Sequence, residues 1–405
     1  MSTVITSPFG RVLIVYGLGV AAAMCVSEAV TELGKIAQEF HPGSHSTIGF
    51  IMSMPSLVVA LGALLAGYLV DRLGDRRVLY AGVVVMILGD ACAIAVPSLG
   101  LLLAARALTG VGYVLTAVAA ITALIRLTKG HQRTMALALW STFVPMSFLL
   151  PFLSAGLAAE LGTWRAAFGF HIALMLGLLV LAVLAIPRRT EGERAVRSRG
   201  VGKVLRAPMV YLLGISFAGD SFLQTGVLAT LGHYLAAKYN QPEVAVAHWN
   251  AVSMVVNALA CLSVGLLLRR GVSSRAVTTL GILITGIPGA LLYGTDLGFM
   301  NSIYAVWGLM FGSGLLVGMW TLVPYTAPSP ETNGATSGLV TQFTLLGVLL
   351  GPPAYFAAQA AGAGVTVAVF LGALVVCALR YPVCRLADHA PKTSAARAVV
   401  VEATH

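Results

Sequence analysis

The chain has 405 residues, of which 58% are hydrophobic and only 10% charged, and its mean hydropathy is +0.90. That composition lies far outside the range of soluble domains and points to a chain that lives in a bilayer. The formal net charge of +10 invites a nucleic-acid partner, but the basic residues lie in the segments between apolar runs, which is the pattern of a polytopic membrane protein.

Apolar runs of about 20 residues, each the thickness of a bilayer core, recur along the whole length. They predict twelve spans near 11–33, 47–70, 78–97, 99–126, 134–159, 165–186, 208–232, 246–268, 276–295, 300–324, 333–359 and 361–383. The first begins at Arg11, carries Glu28 and Glu32, and is followed by no small-residue cleavage site. It reads as a retained helix and not a signal peptide. Cys25, Cys92, Cys261, Cys377 and Cys384 are scattered and form no C-x-x-C pair, so neither a metal site nor a disulfide framework is indicated.

Between the second and third spans stands G-Y-L-V-D-R-L-G-D-R-R, Gly67 to Arg77. An acid and three arginines in a glycine-bounded turn belong at a water boundary, against something specific. The stretch resembles the loop signature of the major facilitator superfamily, G-x-L-x-D-R-x-G-R-K. Gly67, Leu69, Asp71, Arg72, Gly74 and Arg76 fall on the pattern, and Asp75 replaces the usual first base after the glycine. The resemblance covers essentially the entire chain. It implies an all-α membrane protein with twelve transmembrane helices, in two pseudo-symmetric six-helix bundles around a central cavity. It also implies that Gly67, Asp71, Arg72, Gly74 and Arg76 form a gating loop, Asp71 meeting the second bundle when the inner gate closes.

The third span carries Asp90, and the fourth carries L-x-x-x-R-x-x-x-G-x-G as Leu102, Arg106, Gly110 and Gly112, a second signature of the same superfamily. An arginine cannot be neutralised at ordinary pH and is costly in hydrocarbon without a counter-charge. At about 1.5 Å per helical residue, Glu28, Asp90 and Arg106 all lie within roughly 10 Å of the outer ends of their spans. The three charges thus share a layer. The resemblance places the first and fourth helices side by side, so Glu28–Arg106 is the expected pair; the competing reading is a purely structural ion pair. Asp90 is assigned to bundle packing.

In the fifth span the family's antiporters often carry G-x-x-x-G-P-x-x-G-G. Counting back from Trp164, Arg165 and Phe168, which match W-R-x-x-F, the stretch here is M-S-F-L-L-P-F-L-S-A, Met146 to Ala155. Pro151 survives and the glycines do not, which weakens the argument for antiport. His171 follows in the sixth span. The basic segment from Arg188 to Arg206 then divides the chain into a first bundle, 1–186, a linker, 187–207, a second bundle, 208–383, and a tail, 384–405. With the amino terminus inside, every Lys and Arg lies on the cytoplasmic side except Lys35, Arg165 and Lys238 outside, and Arg106 within a span. Both termini are therefore expected in the cytoplasm, and the basic linker against anionic headgroups.

In the second half Asp220 stands mid-span, flanked by Gly219 and Ser221, with Gln224 one turn on. The resemblance makes the first and seventh helices equivalent, so Glu28 and Asp220 address the cavity from opposite sides. Buried carboxylates take up protons near physiological pH, which makes Glu28, Arg106 and Asp220 the proton-coupling candidates. The competing role for Asp220 is a hydrogen-bonded bridge between helices. Gln224, Asn257, Trp320 and Gln342 are the substrate-cavity candidates, with Asn250 and His171 beside them; interhelical hydrogen bonding is the alternative for each. Gly351-Pro352-Pro353-Ala354-Tyr355 predicts a break in the eleventh helix. The faint second echo of the loop signature, Gly265, Arg269, Arg270 and Gly271, carries no function.

These features are similar to those of drug/proton antiporters of the superfamily. They imply a proton-coupled exporter of a small organic molecule, a drug-like compound or a secreted metabolite such as a siderophore. The alternative is an importer of a small neutral or ionic solute. Three acids against one base favour protons plus a neutral or cationic substrate. No catalytic constellation or phosphate loop is present in the sequence, so neither an enzyme nor direct ATP drive is expected. No cofactor, metal or nucleic-acid partner is expected either, and the protein should be a monomer in a bacterial inner membrane.

Overall fold

The structure, a computed structural model, describes residues 7–140, 142–187, 201–329 and 332–389. Most of the 187–207 linker and of the 384–405 tail lies outside the described residues. Among them the chain is helical, with no strand. The first half comprises α1 (Pro8–Ser27), α2 (Leu33–Phe40), α3 (His45–Leu73), α4 (Asp75–Ala95), α5 (Leu99–Leu127), α6 (Gly130–Trp140), α7 (Phe143–Glu160) and α8 (Arg165–Ala185). The second comprises α9 (Pro208–Tyr239), α10 (Glu243–Arg269), α11 (Ser274–Gly294), α12 (Phe299–Val317), α13 (Val323–Thr326), α14 (Asn333–Ala361), α15 (Ala363–Cys377) and α16 (Tyr381–His389). Among the described residues, eleven helical stretches are long and apolar enough to cross a membrane, and a shorter apolar helix, Phe143–Leu157, stands in the fifth place. Twelve spans in two six-helix bundles result.

Several predicted boundaries move. The first span ends at Ser27, and residues 28–32 form a turn before the short α2, so Glu28 sits at the carboxyl end of the helix instead of inside it. The fifth is described as two helices, α6 ending at Trp140 and α7 starting at Phe143, with Thr142 in a turn. The tenth tightens into a 3₁₀ segment, Gly318–Leu322, and the twelfth into another, Ala378–Arg380, before α16 carries it to His389. The expected break at Gly351–Tyr355 does not occur: α14 runs unbroken through Pro352 and Pro353. The prolines lie where α3 crosses at Gly49, and a Cβ on Gly49 would strike the Pro352–Pro353 backbone. The proline pair thus sits at a close crossing of two helices, where only a glycine on α3 leaves room for it.

Call the end of the bundles at the α3–α4 turn the signature end, and the opposite end the far end. One continuous apolar core fills the first bundle and the far half of the second, from Leu223 and Val227 of α9 to Tyr355 of α14. The signature half of the second bundle has a separate core, built from Val210, Leu213, Phe217, Val264, Met319 and Val340 among others. The bundles are thus packed together at the far end, through α3 on α14 and α7 on α10, and are divided in their apolar packing at the signature end.

Candidate functional site

The position of Arg106 follows from the glycines of its own motif. A side chain on Gly110 would collide with the backbone of α3 at Pro55, and one on Gly112 with α4 at Met86 and Gly82. Small residues let backbones approach closely where lipid offers no drive for association. Here α5 is pressed against both neighbours, and Arg106, one turn before Gly110, enters the middle of the first bundle.

There the arginine is fully enclosed, as are Asp90 and His171, with Glu28 1% exposed. Its guanidinium donates from Nη1 to Glu28 Oε1, from Nη2 to the Cys25 carbonyl, and from Nε to the Ile51 carbonyl at 3.0 Å. It rests 5.3 Å from the Phe168 ring centre. Asp90 Oδ1 lies 4.0 Å from Nη1 and 3.1 Å from the Thr109 hydroxyl, which donates to it. His171 completes the group. Its Nδ1 is hydrogen-bonded to Asp90 Oδ2 at 2.7 Å and lies 2.6 Å from Glu28 Oε2, while Nε2 faces the Ala21 carbonyl at 2.7 Å. Glu28, Asp90 and Arg106, which the sequence put in one layer, are therefore in one cluster. Asp90, assigned to bundle packing, is indeed enclosed within the bundle, and its carboxylate there faces the same charges as Glu28.

The ligand atoms of Glu28, Asp90 and His171 lie within 4.8 Å of one another, a spacing that suggests a metal. The contacts argue otherwise. Metal–ligand bonds of about 2.0–2.2 Å would hold nitrogen and oxygen well beyond 2.7 Å, and the cation on Glu28 is already a guanidinium. The arrangement fits a hydrogen-bonded charge cluster.

The second bundle treats its buried charges differently. Asp220 accepts from Ser313 Oγ at 3.1 Å, and its Oδ2 has no hydrogen-bond partner among the described residues. Arg380, counted from sequence among the cytoplasmic bases, is instead fully buried, because the twelfth span continues to His389. It donates to Ser216 Oγ at 2.7 Å, to the Leu316 carbonyl at 2.6 Å and to the Ser216 carbonyl at 3.4 Å. Its guanidinium lies 4.7 Å from the Phe217 ring centre, and Phe217 stacks on Trp320 at 5.0 Å. Leu316 and Cys377 border the two 3₁₀ segments, where carbonyls lose their helical donors; Arg380 serves the first, and Ser216 Oγ serves Cys377 at 2.7 Å. Sequence reasoning missed Arg380 because it stands near the end of its apolar run. The available signal was that the hydrophobic pattern resumes beyond it at Val383, Cys384 and Leu386.

Of the cavity candidates, Gln224 is buried one turn beyond Asp220, and Trp320 and Gln342 are half-buried. Asn257 is fully enclosed and donates to the Met310 carbonyl at 2.8 Å. Asn250 is buried with both amide atoms unpartnered.

The loop signature is tied to its own bundle. Gly74 takes φ +88, a left-handed turn suited to glycine, and so separates α3 from α4. Asp75 pairs with Arg126 of α5 at 2.8 Å. Arg76 donates to Tyr80 at 2.9 Å, and Tyr80 to the Ala182 carbonyl of α8 at 2.9 Å. Arg72 donates to Tyr68 on its own helix at 3.3 Å. The Asp75 that departs from the signature thus has a partner. The side chain of Asp71 lies outside what the structure describes.

At the far end of the first bundle Glu39 bridges to Arg165 at 2.7 and 2.9 Å and accepts from Trp164 at 2.6 Å. The Arg165 guanidinium, then the Trp164 N–H, hold the Glu39 carboxyl below its ordinary value.

Comparison with known proteins bears on this geometry. The Major Facilitator Superfamily matches residues 9–352. The multidrug efflux pump LfrA of Mycolicibacterium smegmatis is 33% identical over 158 residues, 38% of this chain and 31% of that protein. The arabinose-proton symporter of Escherichia coli is 29% identical over 161 residues, 39% of this chain and 34% of the symporter. The chain therefore spans only about a third of the length of these curated relatives in each match. In fold it is similar to a bacterial homologue of the human lysosomal transporter Spinster, in an inward-facing and occupied conformation. That likeness has a TM-score of 0.71 at 14% identity and covers 96% of this chain and 97% of that one.

Proposed function

The chain belongs to the Major Facilitator Superfamily, and from that premise we propose that it is a proton-coupled transporter exporting a small organic molecule by alternating access of its two bundles. The observation that carries this reading is the buried cluster of Glu28, Asp90, Arg106 and His171. Ionisable groups inside a membrane bundle are expensive and are kept where they serve an ion or proton path. In this reading Glu28 is the coupling acid, released from Arg106 in one conformation and held by it in the other. Asp220, with its unpartnered oxygen, addresses the substrate from the second bundle. The termini and the 187–207 linker lie in the cytoplasm, the loop around Asp71 gates that side, and the membrane is a bacterial inner membrane. Trp320, Gln224 and Gln342 supply apolar and amide contacts to a neutral or cationic amphiphile.

Export is favoured by the match to a multidrug efflux pump. The match to a sugar-proton symporter, over a similar share of the chain, supports import as the second reading. Proteoliposomes of known orientation separate the two, with ethidium as a cationic probe and arabinose as a neutral one. An imposed pH gradient should drive flux through the wild type. Glu28→Gln should abolish that response while downhill exchange persists, whereas Asp220→Asn should raise KM more than it weakens coupling. A full gradient response in Glu28→Gln would remove Glu28 from the coupling step.

A further inference from the structure

The contacts of His171 fix how many protons the cluster holds. The Ala21 carbonyl can only accept, so the imidazole nitrogen 2.7 Å from it, Nε2, carries a hydrogen. The other nitrogen, Nδ1, lies 2.7 Å from Asp90 Oδ2 and 2.6 Å from Glu28 Oε2. Bare acceptors do not meet at such distances, so one more proton lies among Nδ1 and the two carboxylates. Arg106 is permanently charged. One guanidinium and one proton balance two carboxylates, and the enclosed site is neutral with that single proton and no other number. The groups facing His171 are Glu28 and Cys25 from α1, Asp90 from α4 and Arg106 from α5. On α7 the sole ionisable side chain is Glu160, at its far end.

The members differ in how they are held. Asp90, Arg106 and His171 project from the regular turns of α4, α5 and α8, whereas Glu28 stands where α1 gives way to a turn. Glu28 Oε2 also has no hydrogen bond of its own, although it lies beside the His171 nitrogen. Resting on the proton-coupled reading above, we propose that His171 is the donor that protonates Glu28, and that Asp90 is the reserve counter-ion which lets Glu28 leave Arg106. The Nδ1–H bond of His171 breaks and an O–H bond forms on Glu28 Oε2, with the imidazole keeping the electron pair as a neutral ring. Glu28 then departs uncharged. Behind it stay Arg106, charged, Asp90, charged, and His171, neutral, a set that again sums to zero, with Asp90 Oδ1 already 4.0 Å from Nη1. Had Glu28 left as a carboxylate, it would have stranded a positive site and a bare anion in a dry bundle, each strongly disfavoured. Departure of the acid and carriage of one proton are thereby the same event.

The test reads the ratio of pH-gradient-driven flux to exchange flux, with ethidium as the probe, in proteoliposomes of wild type, His171→Gln and Asp90→Asn. His171→Gln removes the donor, and Asp90→Asn leaves a pair, Arg106 and Glu28, that is neutral with no proton at all. Both should lower the ratio by about tenfold or more, as expected for loss of coupling between two sites, while Asp90→Glu should restore it. A wild type that ignores the gradient overturns the coupled reading beneath the proposal. A wild type that responds, with His171→Gln or Asp90→Asn responding in the same ratio, overturns the relay alone. A variant that keeps the wild-type unfolding temperature but loses exchange and driven flux equally also overturns the relay. The two substitutions stand on different helices, so if one fails to fold the other still decides.

Discussion

The two bundles bury an arginine each and hold it by different chemistry. Arg106 meets carboxylates and an imidazole, groups that exchange protons. Arg380 is hydrogen-bonded to two carbonyls and a hydroxyl and rests on an aromatic face, none of which titrates in water, and the carboxylate that feels its charge, Asp220, is not bonded to it. The helices that mirror one another make the contrast sharper. In α5 Gly112 packs against α4, and in α12 Gly312 packs against Thr285 and Gly281 of α11 in the same manner. Six residues before that glycine stands Arg106 in one and Val306 in the other. A shared crossing geometry therefore carries a charge in the first bundle and none in the second. Burying a cation is a problem with several solutions, and only a solution made of titratable partners can report a proton.

The largest expected effect breaks the first solution. Arg106→Met leaves Glu28 and Asp90 without their cation, and losing one partner of a buried pair costs about 3–5 kcal/mol. The loss should be relieved at acidic pH, where the carboxylates take up protons, and be greatest at alkaline pH. Thermal unfolding in detergent across pH measures it; a pH-independent loss would mean that the carboxylates are not its source.

Arg380→Met should cost somewhat less, about 2–3 kcal/mol, the range for charge-assisted hydrogen bonds left unmade. Its pH profile should be much flatter than that of Arg106→Met, and the response of flux to a pH gradient should survive. If that response vanished while the protein stayed folded, the contrast between the bundles would collapse.

A smaller effect is expected at the signature loop. Asp71→Asn should slow turnover by removing a charge-assisted contact, worth about 1–3 kcal/mol, from one of two conformations. Initial rates against substrate concentration measure it, and an unaltered maximal rate would take Asp71 out of the gate.

The smallest concerns Glu39 at the far end. Its folded value is depressed by Arg165, so its contribution is present above the ordinary carboxylate range and fades as pH falls through the depressed value. The pair is partly exposed, so Glu39→Gln should cost below about 1 kcal/mol. The variant and wild type should converge in unfolding temperature at acidic pH, and a difference that persisted there would point to packing instead of charge.

Reading the chain as a sequence, the spans were legible because a bilayer imposes a length and an apolar content that no neighbour need supply. The loop signature and the motif around Arg106 were legible because charge and glycine are rare inside apolar runs. Depth along a helix was legible too, at a fixed rise per residue, and it placed Glu28, Asp90 and Arg106 in a common layer. Which way a side chain faces around its helix was not, and so Asp90 was assigned to packing alone and His171 set beside the cavity candidates, with no sign that the two meet. The break at residues 28–32 that frees Glu28, the unbroken passage of α14 through Pro352 and Pro353, and the burial of Arg380 all depend on neighbours distant in sequence. A helix end, a missing donor or an unpaired cation is settled by whichever carbonyl, glycine or ring another helix brings to it, and that meeting exists only in the tertiary structure.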